Sequence, residues 1–155
     1  IQYTNKYGRY TTKPLQKINM EFIKPVPLVN QPENFLISSK QWEQRYSINT
    51  NEIEQWLDSP VSLWGSGGNI SYLDIQLGNI KIDQSLYLVE VEDFNVFGRR
   101  GCFIYNQQEY DLPIRDPLMG NYSNFEDSCR VFLCISLGEP YKGFCYKIIA
   151  GIFQL

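Results

Sequence analysis

Between Leu86 and Ala150 the sequence alternates apolar runs of strand length with clusters of turn-forming residues. Leu86 to Val91 is apolar at both parities, as a strand buried on two faces requires. Gly101 to Tyr105 and Tyr110 to Ile114 flank Asn106-Gln107-Gln108-Glu109, which is a hairpin signature. Val131 to Ile135 and Phe144 to Ala150 flank Leu137 to Gly143, a second hairpin with a longer loop. Many short strands around so little helix predict a mainly β (β-rich α+β) chain: a barrel or a strongly bent antiparallel sheet with one short helix.

The N-terminal part is less regular. Residues through Lys13-Pro14 read as a polar, tyrosine-rich arm. Leu15 to Lys24 alternates Ile18, Met20 and Phe22 with Lys17, Asn19 and Glu21, the pattern of one half-buried strand. Pro25, Pro27 and Pro32 then interrupt regular structure. Phe35 to Ile37 is a short apolar run, and Ser38 and Ser39 start a helical turn through Trp42. The spacing predicts a helix over Asn51 to Leu57: Asn51 and Glu54 have capping-box spacing, and Ile53, Trp56 and Leu57 make one apolar face. Ile80 and Ile82 alternate with Lys81 and Asp83 as a strand would. Asp116 to Asp127 reads as a polar loop. At 155 residues the chain suits a single compact unit, with a subdivision into 1–62 (arm, strand, helix, part of a first barrel) and 70–155 (a β-barrel).

Composition removes several chemistries. There is no histidine, which excludes Ser-His-Asp and Cys-His nucleophiles, His-ligated zinc and a histidine pH switch. No run approaches the roughly 18 apolar residues of a membrane span, so a cytoplasmic location is expected. The chain opens on Ile1-Gln2-Tyr3-Thr4, as a trimmed or processed piece of something longer would. Cys102, Cys129, Cys134 and Cys145 read as reduced core thiols, because an apolar fraction of 43% needs no bridges. No resident metal and no cofactor are implied.

Three features invite a functional reading. Gly98-Arg99-Arg100-Gly101 is a basic tip followed by Phe103 and Tyr105, with Tyr110 across the turn. Arginine beside strand aromatics suits single-stranded nucleic acid, where the guanidinium meets phosphate and rings stack on bases. The same rings also fit a core. The spacing of Phe103 and Tyr105 after Arg100-Gly101 is not that of an RNP1 octamer. The loop Trp64-Gly65-Ser66-Gly67-Gly68-Asn69 lacks the lysine of a P-loop. It reads as a flexible surface loop, or as a flap anchored by Trp64. Lys142 and Lys147 flank the last turn, and Lys147 is either at a rim or paired with an acid such as Glu139.

Several segments together resemble one family. They are Gln31-Pro32-Glu33-Asn34, Leu63-Trp64, Ser85-Leu86-Tyr87-Leu88, Phe103-Ile104-Tyr105-Asn106 with Tyr110-Asp111-Leu112, and Asp116-Pro117. The most telling is Leu133-Cys134-Ile135-Ser136-Leu137-Gly138-Glu139-Pro140-Tyr141, continuing into Tyr146 to Ile152. From about Leu15 to Phe153 this order resembles the bacterial dual OB-containing domain family. The resemblance implies OB-type barrels and a binding module of larger bacterial proteins and defence-type gene neighbourhoods. It carries over no catalytic residues. Gly67 to Leu77 departs from the family, which there tends to carry an Asp-Arg pair.

Three readings stand. The first is a non-catalytic module binding single-stranded nucleic acid or a nucleotide through Arg99, Arg100, Phe103, Tyr105 and Tyr110, with Lys142 at the rim and Trp64 beside it. The second is a protein-interaction or sensor domain without a nucleic-acid ligand, docking a partner protein or further domains of a larger chain. The third is a metal-dependent nuclease or phosphodiesterase, for which Glu90, Glu92, Asp111 and Asp116 are the candidate ligands.

Overall fold

A computed structural model describes residues 2–5, 8–116 and 129–155. Its centre is a curled sheet built from the two expected hairpins. Strands β8 (Leu86–Phe97), β9 (Arg100–Tyr105) and β10 (Gln108–Pro113) form a meander, and β11 (Val131–Tyr141) and β12 (Phe144–Gln154) form the second hairpin. β8 pairs with both β9 and β11, so the order is β10-β9-β8-β11-β12. A parallel bridge between Ile114 and Ile149 joins the two ends, and the Arg115 amide donates to the Ile149 carbonyl at 2.8 Å. The sheet is thereby a partly open five-stranded barrel. A sixth strand, β7 (Asn69–Ser71), adds to the outer edge of β12.

Local sequence explains the turns. Asn106 and Gln107 both take positive φ (47° and 63°), the type I′ requirement for a two-residue hairpin. Lys142 (50°) and Gly143 (84°) do the same between β11 and β12. The second hairpin therefore runs to Tyr141 and Phe144, with a shorter turn than the sequence suggested. β8 serves both halves of the barrel because it bends at a bulge between Glu92 and Asn95, where Asp93 has φ 51°. Gly101 sits where the barrel is tightest. A Cβ there would lie 2.6 Å from Ile149 Cδ1 and 2.8 Å from Phe94 Cε2. Gly101→Ala is expected to destabilise by about 1–3 kcal/mol through overpacking, measured as a drop in the urea midpoint with unchanged slope.

Leu63, Val89, Phe103, Leu112, Leu133, Ile135 and Ile149 are among the side chains of one core inside the barrel. A smaller cluster of Ile70, Ile75, Ile82, Leu137 and Cys145 lies under β7 and the short helix α1 (Tyr72–Gln76). Ser71 caps α1 by accepting from the Asp74 amide at 3.3 Å. None of the four cysteines is bridged, and Cys145 is the fully buried one.

The N-terminal part differs from expectation. The arm is a hairpin, β1 (Gln2–Asn5) and β2 (Gly8–Thr11), and β1 pairs in parallel with β6 (Trp42–Ser47); the helical turn expected from Ser38 to Trp42 is absent, and β6 begins at its last residue. The single strand expected over Leu15 to Lys24 is two. β3 (Gln16–Asn19) completes the sheet β2-β1-β6-β3, and β4 (Phe22–Pro25) leaves it to pair with β5 (Phe35–Ile37). Alternation persists through such a break, so periodicity alone does not reveal it. The helix is a 3₁₀ segment over Thr50–Trp56 that begins one residue early, with Asn49 as its cap. The Asn49 amide donates to the Glu52 carboxylate at 2.8 Å, and only Ile53 of the apolar face is buried. Ile80 to Asp83 is not a strand. The polar loop expected to Asp127 lies, after Asp116, outside the described residues.

Bonds tie this part to the barrel. Ser85 donates its amide and hydroxyl to Glu33. Asp58 exchanges two hydrogen bonds with the Leu88 backbone at 2.7 and 2.8 Å. Arg130 bridges Glu54 and Glu90.

Candidate ligand-binding surfaces of the barrel

The residues expected to form one site are divided among three places. Alternation along β9 puts Gly101, Phe103 and Tyr105 on one face, as predicted, but that face is the interior. Phe103 is 2% exposed and stacks on Tyr110, which is 3% exposed, with ring centroids 5.4 Å apart. No base reaches these rings without opening the core. This corrects the expectation of a stacking surface formed by Phe103, Tyr105 and Tyr110.

The tyrosine hydroxyls have a different task. They hold a strap, residues 60–68, that crosses the barrel without regular secondary structure. Tyr105 donates to the Pro60 carbonyl at 2.7 Å, and the Asn106 amide donates to the Pro60 and Val61 carbonyls. Tyr110 donates to the Gly65 carbonyl at 3.2 Å and accepts from the Leu63 amide at 3.3 Å. Burial pushes both phenols above their ordinary range. The Leu63 side chain is fully buried inside the barrel. Trp64 anchors the strap: its indole N–H donates to the Gln84 carbonyl at 2.8 Å, and its ring lies 4.7 Å from Tyr87. Trp64 thus anchors the loop, while Gly65, Ser66 and Gly67 stay on the surface as a surface loop would.

Lys147 is the residue whose placement sequence reasoning left open. It points inward from β12 and is fully buried. Its ammonium donates to the Gly65 carbonyl at 2.6 Å and the Ser66 carbonyl at 3.3 Å, and lies 5.4 Å from the Tyr110 ring centroid. Glu139, its expected partner, is exposed, and Lys147 makes no ion pair with a described carboxylate. Desolvation brings its pKa down to about 8.

Arg99 is exposed in the β8–β9 turn and Arg100 at the start of β9. Arg100 is engaged: Nε donates to Asp111 Oδ1 at 2.7 Å and Nη2 to the Asp111 carbonyl at 2.8 Å. Arg99 makes no ion pair among the described residues. Its carbonyl accepts from the Ile114 amide at 2.8 Å, which brings Arg115 to the same corner. Arg115 is exposed, and Phe97 beside the turn is 68% exposed. Neither was among the residues expected to bind a ligand. Only the register of β9 on β10 makes Arg115 a neighbour of the basic tip.

Lys142 does not join this corner. The β8–β11 ladder runs from Leu86 opposite Ser136 to Val91 opposite Val131, so the Lys142 turn and the Arg99 turn leave opposite ends of it. Lys142 lies over the Tyr141 ring instead, 5.3 Å from its centroid.

The outer face of β9 and β10 is acidic. A shallow groove of about 490 Å³ there is lined by Asp93, Cys102, Ile104, Glu109 and Asp111, among others. The four carboxylates considered for metal are dispersed. Glu90 is held below the usual carboxylate range by hydrogen bonds from Arg130. Asp111 pairs with Arg100, and Asp116 accepts from the Ile152 amide at 3.0 Å. The described residues contain no group of three acidic or cysteine side chains placed to share an ion. Nor is any described helix long and apolar enough to cross a membrane.

Comparison with known proteins agrees with the topology. The dual OB-containing domain family (DuOB) matches residues 2–152, nearly the whole chain and including the N-terminal hairpin. No curated protein and no solved structure matches. A three-stranded meander, a returning hairpin and a parallel closure make an OB-type barrel, and with the match over 2–152 they place this chain in the dual OB-containing domain family.

Proposed function

We propose that the chain is a non-catalytic OB-type binding module that takes the phosphates of a single-stranded nucleic acid or nucleotide at the arginine corner. The observation that carries this reading is the backbone bond from the Ile114 amide to the Arg99 carbonyl, which sets Arg99 and Arg115, both exposed and neither ion-paired among the described residues, on neighbouring segments at the turn that follows the exposed Phe97. Guanidinium groups suit phosphate, and one exposed ring suits one base. The acidic groove over β9 and β10 repels a polyanion. The strand therefore follows the rim at the β8–β9 turn and does not cross the sheet face. A net charge of −3 limits the footprint to that local patch.

Titration with labelled single-stranded DNA and RNA at two salt concentrations tests this. Arg99→Ala with Arg115→Ala is expected to weaken binding at least about tenfold and to lower the log–log salt slope by about 1.4. Arg100→Ala is expected to do less, because Asp111 already occupies that side chain. An unchanged slope in the double variant sinks the proposal.

A second reading has its own observation. The β4–β5 ribbon exposes Phe22, Ile23, Phe35, Leu36 and Ile37, with Phe22 and Phe35 centroids 5.1 Å apart. Apolar patches of this kind mark protein interfaces. Wild-type protein that ignores every oligonucleotide transfers the proposal to this ribbon. The defence-type setting belongs with either reading as a proposal from the family resemblance.

A further inference from the structure

Lys147 is a cation buried with only partial charges for company. Carbonyl oxygens of Gly65 and Ser66 are its hydrogen-bond acceptors, and a ring face lies beyond them. Its own amide donates to the Gly68 carbonyl at 2.9 Å. Burying an ammonium without an anion costs several kcal/mol, and such groups concentrate at functional sites. The cover over this ammonium is thin. Gly65, Ser66 and Gly67 are exposed, and a Cβ added at Gly65 or Gly67 would meet nothing within 4 Å. Both glycines have positive φ (82° and 73°), so the strap carries a flexible residue on each side of Ser66. Below that layer, donors from two strands converge on one oxygen: Lys147 Nζ at 2.6 Å and Tyr110 Oη at 3.2 Å from the Gly65 carbonyl. Two fixed donors aimed at one oxygen, one of them charged, make a receptor for an oxyanion.

We propose that Lys147 and Tyr110 form an oxyanion site in the barrel mouth. The Gly65 and Ser66 carbonyls fill it in the closed form, and it opens for a phosphate or carboxylate group when residues 65–67 swing outward. Leu63 and Trp64 stay docked as the fixed end of the strap. The anion supplies the full negative charge that two carbonyls do not, so the ammonium gains a partner and the strap loses its latch. This site is separate from the arginine corner and stands without it.

Hydrogen exchange on the full chain tests the proposal, with sodium phosphate, sodium acetate and sodium chloride at matched ionic strength. The amides of residues 65–68 are expected to exchange at least about fivefold faster with the binding anion while β8 to β12 stay protected. Tm is expected to rise saturably with the same anion. A response to phosphate alone identifies a phosphate site, to acetate alone a carboxylate site, and to both a general oxyanion site. Lys147→Met should abolish the response, whereas Arg99→Ala with Arg115→Ala should leave it intact. Unchanged or slowed strap exchange in every anion overturns the proposal from wild-type protein alone. So does faster exchange of residues 65–68 that survives in Lys147→Met or vanishes in the arginine variant; Tm alone does not decide, because phosphate held at the arginine corner would raise it too.

Discussion

Lys147→Met is expected to make the protein more stable at neutral pH, by about 1–3 kcal/mol, although it removes two hydrogen bonds. The native lysine has a pKa of about 8, against 10.5 in an unfolded chain. That gap corresponds to roughly 3 kcal/mol of unfavourable burial at and below neutral pH, where both states carry the proton. Methionine is of similar length and has no charge to desolvate. It leaves Gly65 O with its Tyr110 donor and Ser66 O in an exposed segment open to water. The gain should depend on pH in one direction. Between about pH 8 and pH 10 the unfolded wild type binds more protons than the folded one, so wild-type stability rises with pH and the advantage of methionine shrinks. Denaturant unfolding of both proteins across that window measures the difference, and its lower half, below the raised ionisation of the buried tyrosines, carries the test. A variant less stable than wild type at pH 7, or a gap constant with pH, would mean that the two carbonyls fully compensate the ammonium.

The cost identified at Lys147 separates what sequence reading reaches from what it misses. The two hairpins were legible because apolar runs, turn residues and pair spacing all agree from Gly101 to Ala150. The parity of β9 was legible too: Phe103 and Tyr105 do share a face. Which face is inside was not. In a curled sheet both parities of a strand can carry apolar residues, as Cys102 and Ile104 do on the outer side. The sign is set by curvature, which follows from the bulge at Asp93 and the close approach at Gly101. Arg115 entered the basic corner only through cross-strand register, which no local window contains. Lys147 showed itself as an anomaly, a lysine inside an apolar run. Its partners were sought among side chains, whereas the structure uses backbone carbonyls of a segment about 80 residues earlier. The bonds beneath the strap were hidden for a related reason. Glycine-rich composition reports what backbone conformations are allowed, and says nothing of what lies beneath.

Leu63→Ala should have the opposite effect from Lys147→Met, although both residues belong to the same contact between strap and barrel. Leu63 is fully buried in the barrel core, and its amide donates to the Tyr110 hydroxyl. Truncation removes the apolar contact that keys the strap and leaves a cavity beneath it, at an expected cost of about 2–5 kcal/mol. If the strap opens as a local unit, most of that loss appears as strap opening. Cleavage by a nonspecific protease within residues 61–68 should then accelerate by about 30-fold or more, with barrel secondary structure retained. Val61 is the internal control. It lies on the same strap but is 91% exposed, so Val61→Ala should change stability by less than about 0.5 kcal/mol and leave cleavage unaltered. A Leu63→Ala cost below about 1 kcal/mol would mean that the barrel mouth collapses around the smaller side chain, so that the latch resides in Trp64 and the tyrosines. The expected pair of results has a physical meaning beyond either alone. Leu63 pins the fixed end of the strap through apolar burial, while the ammonium destabilises the closed form of residues 65–67 beyond it. Opening that outer segment leaves the Leu63 contact in place, so an anion worth a few kcal/mol is enough to move it.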